Sequence, residues 1–240
     1  MKQSSLERIV PDAIQEKGTT GDEALELHLE RYRFAASYAQ PGRLLDIACG
    51  VGYGTNLLFK TVKHCEYALG VDASEESIAY AQQRYKLPGI DYVIGDATTF
   101  TAPVPFDSIV SLETIEHLPD PKNFLAHLMT QLRPGGVFVG SVPITPTVDA
   151  NPYHLHDFTK NSFRKLAASF PLEEIDSLTQ IQQFNPRAVL AKSEARLQDL
   201  RPNLFSYYLH HPKAVFQRIW STLRYGFSIH YLTIAYRFRT

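Results

Sequence analysis

The stretch Asp46-Ile-Ala-Cys-Gly50-Val-Gly52-Tyr-Gly54-Thr55 constrains this chain more than any other. A short apolar run, Leu44 to Ala48, leads into it, and a run of helical character, Thr55 to Val62, leads out. Glycines at such a junction permit a tight turn and let backbone come close to a ligand. A strand, a glycine loop and a helix in that order are the opening unit of a parallel sheet covered by helices. The dinucleotide-binding pattern needs G-x-G-x-x-G. Here the third glycine comes one residue early, and Asp46 stands four residues before the first. A carboxylate at that place repels phosphate and welcomes a cation, so a pyrophosphate ligand is disfavoured.

The same rhythm continues along the chain. Apolar periodicity predicts a helix from Asp22 to Tyr38, stopped by Pro41-Gly42. Strands are expected at 44–48, 67–71, 92–94, 106–112 and 137–142, with helices at 55–62, 74–85 and 123–132 between them. Ser74 with Glu76 and Ser77 behind it reads as a helix start. Short buried strands alternating with helices predict a doubly wound, mostly parallel α/β sheet. After Val142 the rhythm breaks into a loop rich in Pro, His and Asn, then a helix over 162–170 and a strand within 171–184. Ile229 to Phe238 is expected to close the sheet as a final antiparallel edge strand. The resulting division is an arm over 1–21, a core over 22–184 plus 229–240, and a helical insertion or cap over 185–228.

Composition narrows the function classes. With 44% apolar residues the 240-residue chain can bury a core, and disorder is excluded as its main state. A net charge of −1 gives no global field toward nucleic acid or acidic lipid. The N-terminus is too polar for a secretory signal, and no run of about 18 uncharged apolar residues exists to span a membrane. Cys49 and Cys65 alone make neither a disulfide framework nor a four-ligand zinc site. The expectation is a cytoplasmic globule with reduced thiols, in which Cys49 fills the loop rather than acting as a nucleophile.

Six stretches in order carry a resemblance: LLDIACGVGYGT (44–55), GVDASEESIAYA (70–81), GDATTF (95–100), FDSIVSLETIEHLPDPKNFL (106–125), LRPGGVFVGSVP (132–143) and NPYHLHDFT (151–159). Together they resemble the class I S-adenosylmethionine-dependent methyltransferases, in the group that includes the ubiquinone-biosynthesis O-methyltransferases. The resemblance spans about residues 22–170. It implies a Rossmann-like fold, S-adenosylmethionine as cofactor and S-adenosylhomocysteine as product. Asp72 ends the second strand 22 residues after Gly50, where a carboxylate accepts bonds from ribose hydroxyls. By the same resemblance Asp96 bonds the adenine amino group. Asp46, with Gly50 and Gly52, holds the methionine portion, directly or through water. Ala48, Ala73, Ala97 and Glu113 complete the expected cofactor contacts. His28, Arg31 and Tyr32 lie on the helix before the loop, and Arg31 is either a contact to the cofactor carboxylate or a surface arginine.

Acceptor chemistry is expected beyond the carboxyl ends of the strands. The fourth strand ends in Glu113-Thr-Ile-Glu116-His117, which places His117 at the mouth as a general base or as a structural histidine. His154 and His156, two residues apart with Asp157 adjacent, read as a base, as metal ligands, or as packing at a helix entry. A third and fourth ligand are not identifiable from spacing, so no metal is assigned. Asp157 or Thr159 starts the next helix.

Residues 185–228 carry seven Lys/Arg (Arg187, Lys192, Arg196, Arg201, Lys213, Arg218, Arg224) against Glu194 and Asp199. Phe205, Tyr207, Tyr208, Phe216, Trp220 and Tyr225 are interleaved. Such a segment suits a cap over the acceptor, a membrane-resting lid, a nucleic-acid contact or a homodimer face. The cap is preferred, and nucleic acid is not the expected partner because the rest of the chain is not basic. The expected activity is methyl transfer from S-adenosylmethionine to a small-molecule acceptor, at a hydroxyl oxygen. N- or C-methylation, or cofactor binding without catalysis, are the alternatives.

Overall fold

A computed structural model describes residues 9–11, 19–187 and 201–239. The chain runs α1 (Thr19–Tyr38), β1 (Gly42–Ile47), α2 (Tyr53–Thr61), β2 (Cys65–Asp72), α3 (Glu75–Tyr85), β3 (Ile90–Ile94) and β4 (Phe106–Leu112). A single 3-10 turn (Ile115–His117), α4 (Pro121–Gln131), β5 (Leu132–Pro143), α5 (Lys160–Ala167) and β6 (Leu172–Gln183) follow. Then come α6 (Leu204–His210), α7 (Pro212–Tyr225) and β7 (Ser228–Phe238). The helix predicted from Asp22 starts three residues earlier, at Thr19.

The seven strands form one sheet in the order β3-β2-β1-β4-β5-β7-β6. The pairings from β3 through β5 are parallel, and β7 is antiparallel to both of its neighbours. The antiparallel sense of the last strand agrees with the sequence. Its place differs: β7 pairs with β5 on one side and β6 on the other, so β6 is the edge. The register explains this. Leu232, Ile234, Ala235 and Tyr236 are all buried, as only a strand paired on both sides and covered on both faces requires. On β6, by contrast, Glu173, Glu174 and Ile175 are exposed.

Alternate side chains of each strand feed two helical layers. Leu45, Ile47, Leu69, Val71 and Ile109 pack with Phe124, Leu125 and Leu128 of α4 and Phe163 of α5. Leu44, Ala68, Val110, Val137 and Val139 pack with Tyr32, Ala35 and Ala36 of α1 and with Leu58 of α2. Ile78 and Ala81 of α3 cover Ile90 and Tyr92 beside Cys49. Helix starts follow the sequence signals. Ser74 accepts from the Ser77 amide, Asp120 from the Asn123 amide, and Thr159 closes a capping box with Ser162. Thr159, not Asp157, is therefore the cap of α5. The strand expected at 137–142 begins earlier, at Leu132, and takes in Arg133, which pairs with Asp107. No helix among the described residues is long and apolar enough to cross a membrane.

Candidate active site

The carboxyl ends of β1, β2, β4 and β5 open into one cavity of about 590 Å³. That is within the roughly 300–1,000 Å³ of ordinary small-molecule pockets. Two non-glycine residues on its wall, Ala48 after β1 and Glu113 after β4, hold positive φ angles of 62° and 50°. Left-handed backbone at adjacent strand ends is strain kept where the fold over-determines it.

Gly50 lies on the wall with φ 56°, and a Cβ added there would meet nothing within 4 Å. Its amide donates to Asp72 Oδ2 at 2.9 Å, while Asp72 Oδ1 accepts from the Ser74 amide at 2.9 Å. Asp72 thereby ties the glycine loop to the start of α3 and puts its carboxylate on the cavity wall. Gly52 is a packing glycine instead. Its φ is 83°, and a Cβ would come within 2.6 Å of both Ala81 Cβ and the Tyr92 ring. Gly54 faces Tyr32, whose ring occupies the place a Cβ would take.

Asp46 is not on the cavity wall. It is buried behind the loop, accepting from Thr55 Oγ1 at 2.6 Å and from the Tyr32 hydroxyl at 3.3 Å. In this place Asp46 braces the loop against α1 and α2. Burial pushes its pKa up to about 7, against the opposing bonds from Thr55 and Tyr32. Since the folded pKa lies above the unfolded value, the stabilisation is complete below pH 4 and is lost as pH rises through 7. The loss is on the order of 4 kcal/mol. Asp46→Asn keeps an acceptor and removes the titration. Its urea-unfolding stability should exceed that of the native protein at pH 8 and change less between pH 5 and pH 8. Parallel pH profiles for the two proteins would contradict this account.

The wall opposite the loop comes from α1, β6 and β7. His28, Arg31 and Tyr32 all line the cavity. Arg31 is buried, not a surface arginine: its Nε donates to Gln180 Oε1 at 2.8 Å, its guanidinium lies 4.1 Å over the Tyr231 ring, and Nη1 is 3.7 Å from Glu113 Oε1. Glu113 also accepts from Ser141 Oγ at 2.7 Å. Tyr53, Gln182 and Tyr231 are wall residues that the sequence reading missed. Tyr53 stands between Gly52 and Gly54 in the glycine stretch itself, a signal within reach of sequence. Gln182 and Tyr231 come from the antiparallel strands and carry no local mark of their role.

The remaining expected residues divide. Glu116, His117 and His154 line the cavity together with Thr147, Asn151 and Tyr153. His156 does not: it bonds the Leu118 carbonyl at 2.9 Å, and its neighbour Asp157 accepts from the Thr147 and Val148 amides. These two side chains fasten the loop, away from the cavity wall. Cys49 is a buried thiol, raised well above its usual pKa by burial and then by Asp46 and Asp72, and it is unsuited to nucleophilic attack. Ala73, Asp96 and Ala97 lie off the cavity wall. Asp96 is exposed just after β3, with Oδ1 accepting from the amide and hydroxyl of Thr98, bonds that lower its pKa.

None of residues 201–228 lines the cavity among the described residues, and 188–200 of the expected cap lie outside them. The helices instead clamp the loop after β5. Arg218 pairs with the buried Asp149 through both Nε and Nη2, and the Tyr208 hydroxyl joins at 2.6 Å. Arg201 donates to the Asp149 and Val148 carbonyls. Arg201 and Arg218 are thus engaged with the chain itself. Phe205, Phe216, Trp220 and Leu223 face outward.

Comparison with known proteins points to a methyltransferase domain on this sheet. Residues 45–140 match the family described as methyltransferase domain. The phthiotriol/phenolphthiotriol dimycocerosates methyltransferase of Mycobacterium tuberculosis is 32% identical over 120 residues, 49% of this chain and 44% of that protein. The ubiquinone biosynthesis O-methyltransferase of Paramagnetospirillum magneticum is 31% identical over 125 residues, covering 49% and 50%. The chain thus spans about half the length of the curated relatives it matches. Among solved structures, the N-methyltransferase NodS of Bradyrhizobium japonicum, in complex with S-adenosyl-L-homocysteine, superposes with a TM-score of 0.62. It is 18% identical, with 98% of this chain and 97% of that chain covered, which speaks for a common fold.

Proposed function

We propose that the protein, whose residues 45–140 match the methyltransferase domain family, transfers a methyl group from S-adenosylmethionine to a hydroxyl oxygen of a small-molecule acceptor. The observation that carries the reading is the union in one cavity of Gly50, Asp72 and the Glu116–His117–His154 group. The residues fit the cofactor. Open space over left-handed Gly50 leaves room for the methionine portion, and Asp72 offers a carboxylate to the ribose hydroxyls. Asp96, exposed after β3, serves the adenine amino group.

When bound, S-adenosylmethionine supplies an activated methyl group on a sulfonium. The chain's task is then alignment. Holding two reactants in line contributes about 7–11 kcal/mol. Gly50 and Asp72 fix the donor side, and the loop carrying Thr147, Asn151, Tyr153 and His154 fixes the acceptor side. Arg31, seated under Tyr231 and beside Glu113, closes the cavity between the two. His117 Nδ1 is 3.0 Å from the Tyr153 carbonyl, which sets its tautomer with the proton on Nδ1. Its Nε2 is then the basic nitrogen, turned toward Glu116 at 3.9 Å, and the acceptor's proton leaves in this corner.

The test has two arms. Calorimetry with S-adenosylhomocysteine and with NAD should show binding of the first alone, because the loop lacks the third dinucleotide glycine. Labelled S-adenosylmethionine, offered with hydroxyl and amine acceptors matched in shape, should label the hydroxyl set. NAD binding without S-adenosylhomocysteine binding would overturn the cofactor, and labelling of amines alone would overturn the acceptor atom.

A further inference from the structure

We propose that Glu116, His117 and His154 hold one divalent transition-metal cation, and that this cation receives the acceptor oxygen. Each of the three offers one ligand atom, and these atoms all lie within 4.8 Å of one another. They form the one such group of three or more His, Cys, Asp and Glu side chains among the described residues. The cluster is not the one weighed from the sequence, where His154 was paired with His156 and Asp157. His156 and Asp157 are spent on backbone groups of the loop, and the third ligand arrives from the turn after β4 instead.

Three features favour a cation over a plain hydrogen-bonded group. The first is the donor set, two imidazoles and one carboxylate, which suits zinc and other first-row divalent ions and leaves coordination positions open. The second is the buttressing of the rings. A ligating histidine commonly donates its other ring N–H to a carbonyl or similar acceptor. His117 Nδ1 is 3.0 Å from the Tyr153 carbonyl, and His154 Nδ1 is 2.6 Å from Thr147 Oγ1. That pattern turns Nε2 of each ring toward the shared corner, and the two rings meet edge to face with centroids 4.6 Å apart. The third is the setting of Glu116, which is 0% exposed yet on the wall of the ligand cavity. This puts its carboxylate in the same corner as the two imidazoles, on the wall where a ligand would sit. Ligand atoms around such an ion, at about 2.1 Å from it, stand roughly 3–3.5 Å apart. The group reaches that spacing by contracting about an ångström, within the range of side-chain rotation.

The proposal rests on the methyl-transfer reading for its role but not for its binding. A hydroxyl on such a cation is acidified, as metal-bound water is. Its proton passes to water at the cavity mouth. The oxygen then forms the C–O bond while the C–S bond breaks, and the electron pair goes to sulfur. The products are a methyl ether and S-adenosylhomocysteine. His117 in this account is a ligand, and the metal performs the acidification a base would otherwise supply.

Chelator-stripped protein titrated with Co²⁺ tests the site. One Co²⁺ per chain should bind, with visible d–d absorption. His117→Ala and His154→Ala should each weaken that binding by about 100-fold or more. S-adenosylhomocysteine titrated into the same stripped samples should bind all three proteins within about threefold of one another, since none of the cofactor contacts is altered. Glu116→Gln, checked for folding by circular dichroism, provides a third variant. Absence of stoichiometric Co²⁺ binding would overturn the site. So would binding that survives both histidine variants but disappears when the exposed His210 and His211 are both replaced. Failure of S-adenosylhomocysteine to bind, with Co²⁺ binding intact, would overturn the methyl-transfer reading and leave the metal site standing.

Discussion

Asp72→Ala should bind S-adenosylhomocysteine at least 10- to 150-fold more weakly than the native protein. A carboxylate that accepts ribose hydroxyls contributes roughly 1.5–3 kcal/mol through charge-assisted bonds, which is about that factor in dissociation constant. The structure adds a second source of loss. Asp72 also receives the Gly50 and Ser74 amides, so its removal strips partners from the glycine loop on the cavity wall. Asp72→Asn separates the two effects, because it keeps the acceptor oxygen while removing the charge. Calorimetry should rank native, Asn and Ala in falling affinity. An unchanged dissociation constant in a folded alanine variant would remove Asp72 from the ribose site.

The second large effect concerns Gly54 and Tyr32. A methyl group on Gly54 collides with the Tyr32 ring, which is 2% exposed and cannot swing into solvent without lifting α1. Gly54→Ala should therefore destabilise by about 3 kcal/mol, the upper part of the overpacking range. Tyr32→Ala should cost about 3–5 kcal/mol, as a large-to-small core change, and it also removes a donor from Asp46. In the Tyr32→Ala background the methyl group has room, so the second substitution should cost little. Urea unfolding of the four proteins measures the cycle. A coupling of about 2–3 kcal/mol is expected for residues sharing one space; additive losses would show that the two do not compete for it.

The parallel half of the sheet was legible because its information is local. Buried parallel strands are continuous apolar runs, such as Leu44 to Ala48 and Phe106 to Leu112, and each is followed by a helix signal. The glycine loop and Asp72 belong to that half, so their juxtaposition followed from spacing alone. What was hidden depends on register between distant segments. β7 lies between β5 and β6 because Val139 pairs with Ala235 and Leu178 with Thr233, which no run of residues announces. Tyr231 and Gln182 reach the cavity through that same register. The histidines show the limit most plainly. His154 and His156 are two residues apart in an irregular loop, and only the loop's path turns one into the cavity and the other onto the Leu118 carbonyl. The orientation of Asp46 is hidden for a related reason: its place at a strand end is local, but the Tyr32 and Thr55 side chains decide which way it faces.

The interior place of β7 has a consequence for how this chain is made. Its residues are the last of the seven strands to be synthesised, yet they supply the hydrogen-bonding partner for β5 from Val137 to Pro143 and for nearly all of β6. Until they emerge, the nascent sheet ends in an apolar β5 with an open edge, and β6 has nothing to join. An uncovered edge of this kind is a template for pairing between chains. Loss of β7 would therefore not trim the margin of the sheet. It would sever β6 from the sheet, and with it Gln180 and its grip on Arg31. A ribosome stalled before residue 228 holds a chain primed to aggregate, and slow release there is the step at which chaperone demand should peak.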